Sequence, residues 1–207
     1  ISDEVEAKLV AAFPGAEVLG TQQANTSVAL VAMGAAILLP SLSRARELSN
    51  RSADAANERG IAQSCVVYAA DHDDHFPSDL SELLLDGAIS PKFLVSKRAG
   101  TPPMQLTDNQ LEDAKTHPEQ FAKDVADHTD YVYIGKGYLN DTDSSIITLY
   151  EKPNPKVIDG MNVAFEDGHV EFVRWSQLAD AFQATNDYRR KHNLPLIDTT
   201  TLTPKPH

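Results

Sequence analysis

Apolar and polar positions change period several times along the chain, and each change marks an element. Ile1, Val5, Leu9 and Ala12 share one helical face before Pro14 and Gly15 end the pattern, which predicts a short amphipathic helix. From Val28 to Leu39 no side chain carries charge or a hydrogen-bonding group, and Pro40 follows directly. Beyond it Leu42, Ala45, Leu48, Ala56, Ile61, Cys65 and Tyr68 recur at helical steps, with Arg44, Arg46, Arg51 and Arg59 on the complementary face. The spacing predicts one long helix over 28–70, apolar in its first half and amphipathic in its second. At 1.5 Å per residue it extends roughly 65 Å, with a kink expected at Pro40.

A loop follows from Asp71 to Pro77. Asp79 then caps a short helix to Leu85, with Glu82 completing a capping box and Gly87 supplying the left-handed stop. Pro91 opens a further helical turn after Ser90. Thr107 with Gln110, and Thr116 with Glu119, have the spacing of two more N-caps. Pro102, Pro103 and Pro118 make 98–129 read as irregular and exposed. From Asp130 the period becomes two: YVYI, SIITLY, MNVAF and HVEFV are rich in β-branched and aromatic residues. Their separators are Gly135 to Gly137, Pro153 to Pro155, and Asp167-Gly168. The last pair predicts a type I′ hairpin, which needs positive φ at both central residues. Trp175 leads into a helix ending near Lys191, and the remaining residues read as an extended arm.

These elements predict an α+β fold, a long N-terminal helix packed on a small antiparallel meander. The segments are an amphipathic 1–27, a helix over 28–70, a head over 71–191 and a tail over 192–207. A chain of 207 residues supports one such core. The net charge of −12 argues against nucleic acid. Most of the excess lies in residues 71–143, with 15 acidic against 6 basic side chains, whereas 28–70 carries 3 against 4. Cys65 is the single cysteine, so no intrachain disulfide forms, and it reads as a small buried helix residue. The chain begins at Ile1, which leads us to expect a processed or cropped terminus.

A bilayer span needs roughly 20 apolar residues, and the run from Val28 falls short unless Asn25, Thr26, Ser27 and Ser41 are recruited. A helix apolar all round must be covered on every side. Val28, Leu30, Val31, Met33, Ile37, Leu38, Leu39 and Pro40 are therefore expected to serve assembly or anchoring ahead of an ordinary core. Arg44 and Arg46 lie just beyond, placed for anionic head groups or an acidic neighbour.

Asp71, Asp73 and His75 alternate as at the start of a calcium loop, but the loop glycine and distant glutamate are missing, Leu83 and Leu84 standing where acids are wanted. His72 and His75 lack a third zinc ligand at a known spacing. The segment reads as a solvated acidic loop, with calcium the one cofactor left open. Asp167, Gly168 and His169 are explained by the turn rather than by acid–base chemistry. No nucleophile elbow, phosphate loop or H-E-x-x-H is present, so no enzyme and no small-molecule substrate is expected. Tyr131, Tyr133, Tyr138 and Tyr150 read as packing residues of the meander.

Several of these segments together resemble bacterial prepilin-like proteins, relatives of type II secretion pseudopilins that end in a D-G-H-V-x-F signature. The resemblance rests on Ala35 to Glu47, Ala55 to Asn57, Arg59-Gly60, Tyr68-Ala69, Phe76-Pro77 and Asn162 to Phe172, about half the chain. It implies a pilin-like fold and a structural subunit of a cell-envelope or extracellular filament or secretion pseudopilus, self-associating through its N-terminal helix, with a membrane as a further partner. The family's processing site is not present, and Gln23 stands where its glutamate falls. One branch carries His where Val157 stands, and relatives often have cysteines at the positions of Asp54 and Ser96, as if one disulfide had been lost. The alternatives are a monomeric secreted or membrane-tethered module with a calcium-binding acidic loop, and a hydrolase with a metal at Asp71 to His75.

Overall fold

The computed structural model describes residues 23–140, 143–154, 157 and 159–202, and for residues 23–38 and 40 the helical backbone alone. The amphipathic reading of residues 1–12 lies outside the described residues. The first helix, α1, runs from Gln23 to Asp71. It continues through Pro40, where the missing N–H costs one backbone bond. The chain divides into two compact units, one ending at Arg46 and the other beginning at Glu47.

In the second unit α2 (Leu80–Leu85), a 3-10 turn (Pro91–Leu94), α3 (Asp108–Thr116) and α4 (Pro118–His128) precede the strands. The strands β1 (Tyr131–Tyr133), β2 (Ile147–Glu151), β3 (Gly160–Phe165) and β4 (Val170–Arg174) form an antiparallel sheet in sequence order. A 3-10 turn at Trp175–Gln177, α5 (Leu178–Ala181) and α6 (Gln183–Lys191) follow.

Strand alternation sorts the sheet's side chains onto two covered faces. Tyr131, Leu149 and Ala164 meet Ile61, Ala62, Cys65 and Ala69 of α1, together with Leu80, Leu83, Phe121 and Val125. On the other face Ile147, Tyr150, Met161, Val163 and Phe165 pack with Leu178, Phe182 and Leu202. An irregularity between Ile147 and Leu149 resets the pairing, so that Ile147 faces Phe165 and Leu149 faces Ala164. Two covered faces explain why β2 and β3 are buried along their whole length.

Several expectations need correction. Residues 98–129 are exposed over most of their length, and Thr107 and Gln110 close the capping box their spacing predicts, but the segment is not irregular: α3 and α4 occupy most of 108–128, and Ala114, Phe121 and Val125 reach the core. Thr116 is no cap, since its hydroxyl donates to Asp113 O and Pro118 starts α4 from His117. Glu82 accepts from Ser78 N rather than from the Asp79 cap residue, 3.0 Å. The described part of the tail, to Leu202, packs instead of extending as an arm. Asn186 exchanges hydrogen bonds with Ile197 at 2.8 and 3.0 Å, Arg189 donates to Pro195 O, and Leu202 is buried.

At the β3–β4 hairpin the left-handed residue is Gly168, φ 84°, while Asp167 keeps negative φ. Gly168 N donates to Phe165 O and Phe165 N to His169 O, both 3.0 Å. The turn is therefore an ordinary β-turn closed by a left-handed glycine, not type I′. A Cβ on Gly168 would also meet Gln63 Cγ at 3.0 Å. Gly168→Val is expected to cost about 1–3 kcal/mol through backbone strain. A thermal melt of that variant superimposable on the parent would contradict this.

Candidate functional site

Carrying the α1 stripe backward from Cys65 and Ile61 by threes and fours reaches Glu58, Asp54 and Arg51, not the apolar Ala56 and Leu48, which are exposed. The upper half of the helix–sheet contact is thus polar. Asp54 and Glu58 are fully buried, Glu151 and Asn162 of the facing strands nearly so, and the Arg98 side chain is 3% exposed.

Asp54 organises the loop after the Pro91–Leu94 turn. Its carboxylate accepts from Ser96 Oγ at 2.7 Å, Lys97 N at 2.5 Å and Arg98 N at 3.2 Å, and Arg98 Nε lies 3.6 Å away. Asn57 fastens the same loop through Val95 O at 3.1 Å. Asp130 accepts from Ser96 N at 2.8 Å and Thr101 Oγ1 at 2.9 Å. Asp54 and Ser96 are thus in direct contact.

Arg98 reaches onward to Glu151 in a close ion pair and to Glu47 Oε1 at 3.3 Å. Glu151 accepts from Asn162 N at 2.9 Å and Asn162 Nδ2 at 3.2 Å. Arg51 stacks over Phe172, 4.1 Å from the ring centre. The two oxygens of Glu58 find no hydrogen-bond partner among the described residues. Burial, then the charges of Glu151 and Asp54, push its carboxyl well above the usual range, and Arg98 and Asn162 offset this only in part. Burial, opposed by Arg98, raises Glu151 to about 7. Tyr131, also raised by burial and by the carboxylates around it, stays protonated beside them.

Both glutamates bind protons more tightly in the folded chain than in the unfolded one. Their contribution to stability is complete below the unfolded pKa and is lost as pH rises through the folded value. For Glu151 that window runs from 4.5 to about 7, corresponding to on the order of 3 kcal/mol. Melting temperature should therefore fall between pH 5 and pH 8, and less so in Glu58→Gln, which fixes that side chain neutral. The lowered carboxyls Asp143, Asp167 and Asp198 act below this window. A flat profile in the parent would remove the account of the cluster.

Next to Arg98 lies a cavity of about 240 Å³ lined by Asp130, Glu151, Met161 and Trp175. Cys65 is buried and its thiol is pushed up to about 12 by desolvation. Tyr131, Tyr138 and Tyr150 are buried, and Tyr133 donates its hydroxyl to Pro77 O at 2.8 Å.

The Asp71–His75 loop is exposed and turned on its own backbone. His72 Nδ1 lies 2.8 Å from Tyr68 O, His75 Nδ1 2.8 Å from Asp73 O, and Asp73 and Asp74 have positive φ. Among the described residues no three His, Cys, Asp or Glu side chains are grouped to hold a metal. His169 stacks on Phe165 and its Nδ1 lies 2.5 Å from Asp167 Oδ1, both side chains half-exposed. Partial burial raises Asp167, and the backbone and ring of His169 outweigh it, holding that carboxyl low.

Of the residues expected to assemble or anchor, the side chains of Val28, Leu30, Val31, Met33, Ile37, Leu38 and Pro40 lie outside the described residues; Leu39 is 62% exposed. Leu42 is 67% exposed and Leu48 42%. Among the described residues no helix is long and apolar enough to cross a membrane. Comparison of the chain with protein families, with curated proteins and with solved structures finds no match to any of them.

Proposed function

We propose that this chain is a non-enzymatic structural subunit of a cell-envelope or extracellular filament, or of a secretion pseudopilus, assembled through α1. One observation carries the reading: Leu39, Leu42 and Leu48 stand open on the helix, 62%, 67% and 42% exposed. Full burial of such a side chain gains roughly 1.5–3 kcal/mol. Neighbouring copies gain that by bundling their helices, with Gly34, Ala35 and Ala36 in the same stretch permitting close approach. Two further features support the prepilin-like resemblance: the meander has the expected strand order, and Asp54 meets Ser96 where relatives carry cysteines.

Size-exclusion chromatography with light scattering tests the proposal. The full chain should run as a polymer or require detergent, whereas Leu38→Glu, and a chain lacking residues 1–43, should be monomeric with the head's melting nearly unchanged. A compact full-length monomer without detergent defeats the filament reading.

A further inference from the structure

The assembly reading leaves open what the exposed leucines and arginines touch, and the head offers a complementary surface. Leu39, Leu42 and Arg46 are spaced i, i+3, i+7, which sets them on one helical face. All three are exposed, and Arg46 makes no ion pair among the described residues. In the head, α2 packs on α4, and between them runs a groove of about 380 Å³. Leu85, Pro118 and Ala122 are its apolar lining residues, and Asp79, Glu82 and Glu119 line it with acid against one basic side chain, Lys123.

A groove lined by acidic and apolar side chains repels anionic lipid and nucleic acid and suits an amphipathic cationic stripe. The chain supplies one, since residues 28–70 carry more basic than acidic side chains in an otherwise acidic protein. We propose that the α2–α4 groove of one copy receives the Leu39–Leu42–Arg46 stripe of a second copy, the leucines against Leu85, Pro118 and Ala122 and Arg46 at Glu82 and Glu119. The inference rests on the filament reading and gives it a geometry. Groove and stripe are different surfaces of one chain, so the contact is heterologous, and its repetition extends a filament where the rotation between copies does not close a ring.

Full-length Leu42→Cys and Ala122→Cys chains, one of them isotope-labelled, are mixed and cross-linked with a short bismaleimide. Buried Cys65 stays silent. Mass spectrometry should find the 42–122 link between copies. Adding Arg46→Glu to the first chain should cut its yield about tenfold, the loss expected for about 1.4 kcal/mol. Adding Glu119→Arg to the second should restore it, and raised salt should weaken the parent link. No such link, an unchanged yield in Arg46→Glu, or no rescue by the paired reversal overturns the proposal. Polymer without the link removes only the groove contact. A link in a dimer that grows no further upholds the groove and removes the filament.

Discussion

Arg98→Met should destabilise the chain by about 3–5 kcal/mol, the usual cost of leaving a buried carboxylate without its counter-charge. Asp54, Glu58 and Glu151 are all nearly or fully buried, and Arg98 is the cation that touches two of them. Arg51, the other cation near the cluster, is committed to the ring of Phe172. Methionine fills most of the space of the arginine stem, so the loss is electrostatic more than steric. Arg98 contacts Asp54 and Glu151, so the loss of the cation falls on those two carboxyls rather than on Glu58. Asp54 keeps its three hydrogen bonds from Ser96, Lys97 and Arg98 backbone or hydroxyl groups, and Glu151 becomes the costly partner. Adding Glu151→Gln to Arg98→Met should therefore recover a large part of the loss, since the amide still pairs with Asn162. Urea unfolding followed by circular dichroism measures both steps. A single variant within about 1 kcal/mol of the parent, the scale of an exposed ion pair, would mean that the cluster is solvated and the pairing of little consequence.

That cluster is the part of the molecule least legible in the sequence, and the reason is physical. Helical periodicity assigns charged positions to solvent, so Arg51 and its neighbours read as the wet face of α1. The signal lies in the phase: stepping back from Ile61 in threes and fours lands on Glu58 and Asp54, and only strict continuation of the stripe overrides the preference for apolar residues. Arg98 sits 44 residues beyond Asp54 in an irregular loop, and no local pattern joins them.

The sheet is legible because its runs are short, β-branched and separated by turn residues. The type of its last turn is not, since Asp-Gly serves both a type I′ turn and the observed turn with a single left-handed glycine. In 98–129 the prolines mask a helix whose core residues, Phe121 and Val125, stand four apart. Pro118 sits at the first position of α4, where its missing N–H has no partner to lose. The tail reads as an arm because Leu194, Leu196, Ile197 and Leu202 keep no sustained helical or strand period, and only the assembled second core gives Ile197 and Leu202 a place.

Gly160 follows Asp159 as Gly168 follows Asp167, yet it stands in a strand rather than a turn, and its replacement should be among the most damaging in the head. It opens β3, pairs with Arg174 of β4, and is buried. A Cβ at this position would stand 2.1 Å from Val173 O, 2.8 Å from Arg174 Cα and 2.9 Å from Val173 C, all backbone atoms. No rotamer change relieves such a contact; the two strands must move apart. Met161 and Val173 follow directly, both buried in the second core, so separating the strands there opens packing against Leu178 and Phe182. Gly160→Ala is expected to cost about 3 kcal/mol, the upper range for overpacking. Gly87→Ala makes the matched control, because Gly87 has φ 67° and an added methyl there would meet nothing within 4 Å. It should lose only about 1 kcal/mol, from backbone strain alone. Thermal melts rank the two, and hydrogen exchange locates the damage: amides of β3 and β4 should exchange faster in Gly160→Ala and at parental rates in Gly87→Ala. Equal melting of the two variants would mean that β4 yields freely at Arg174, and that the β3–β4 edge is looser than its unbroken register from Gly160 to Ala164 implies.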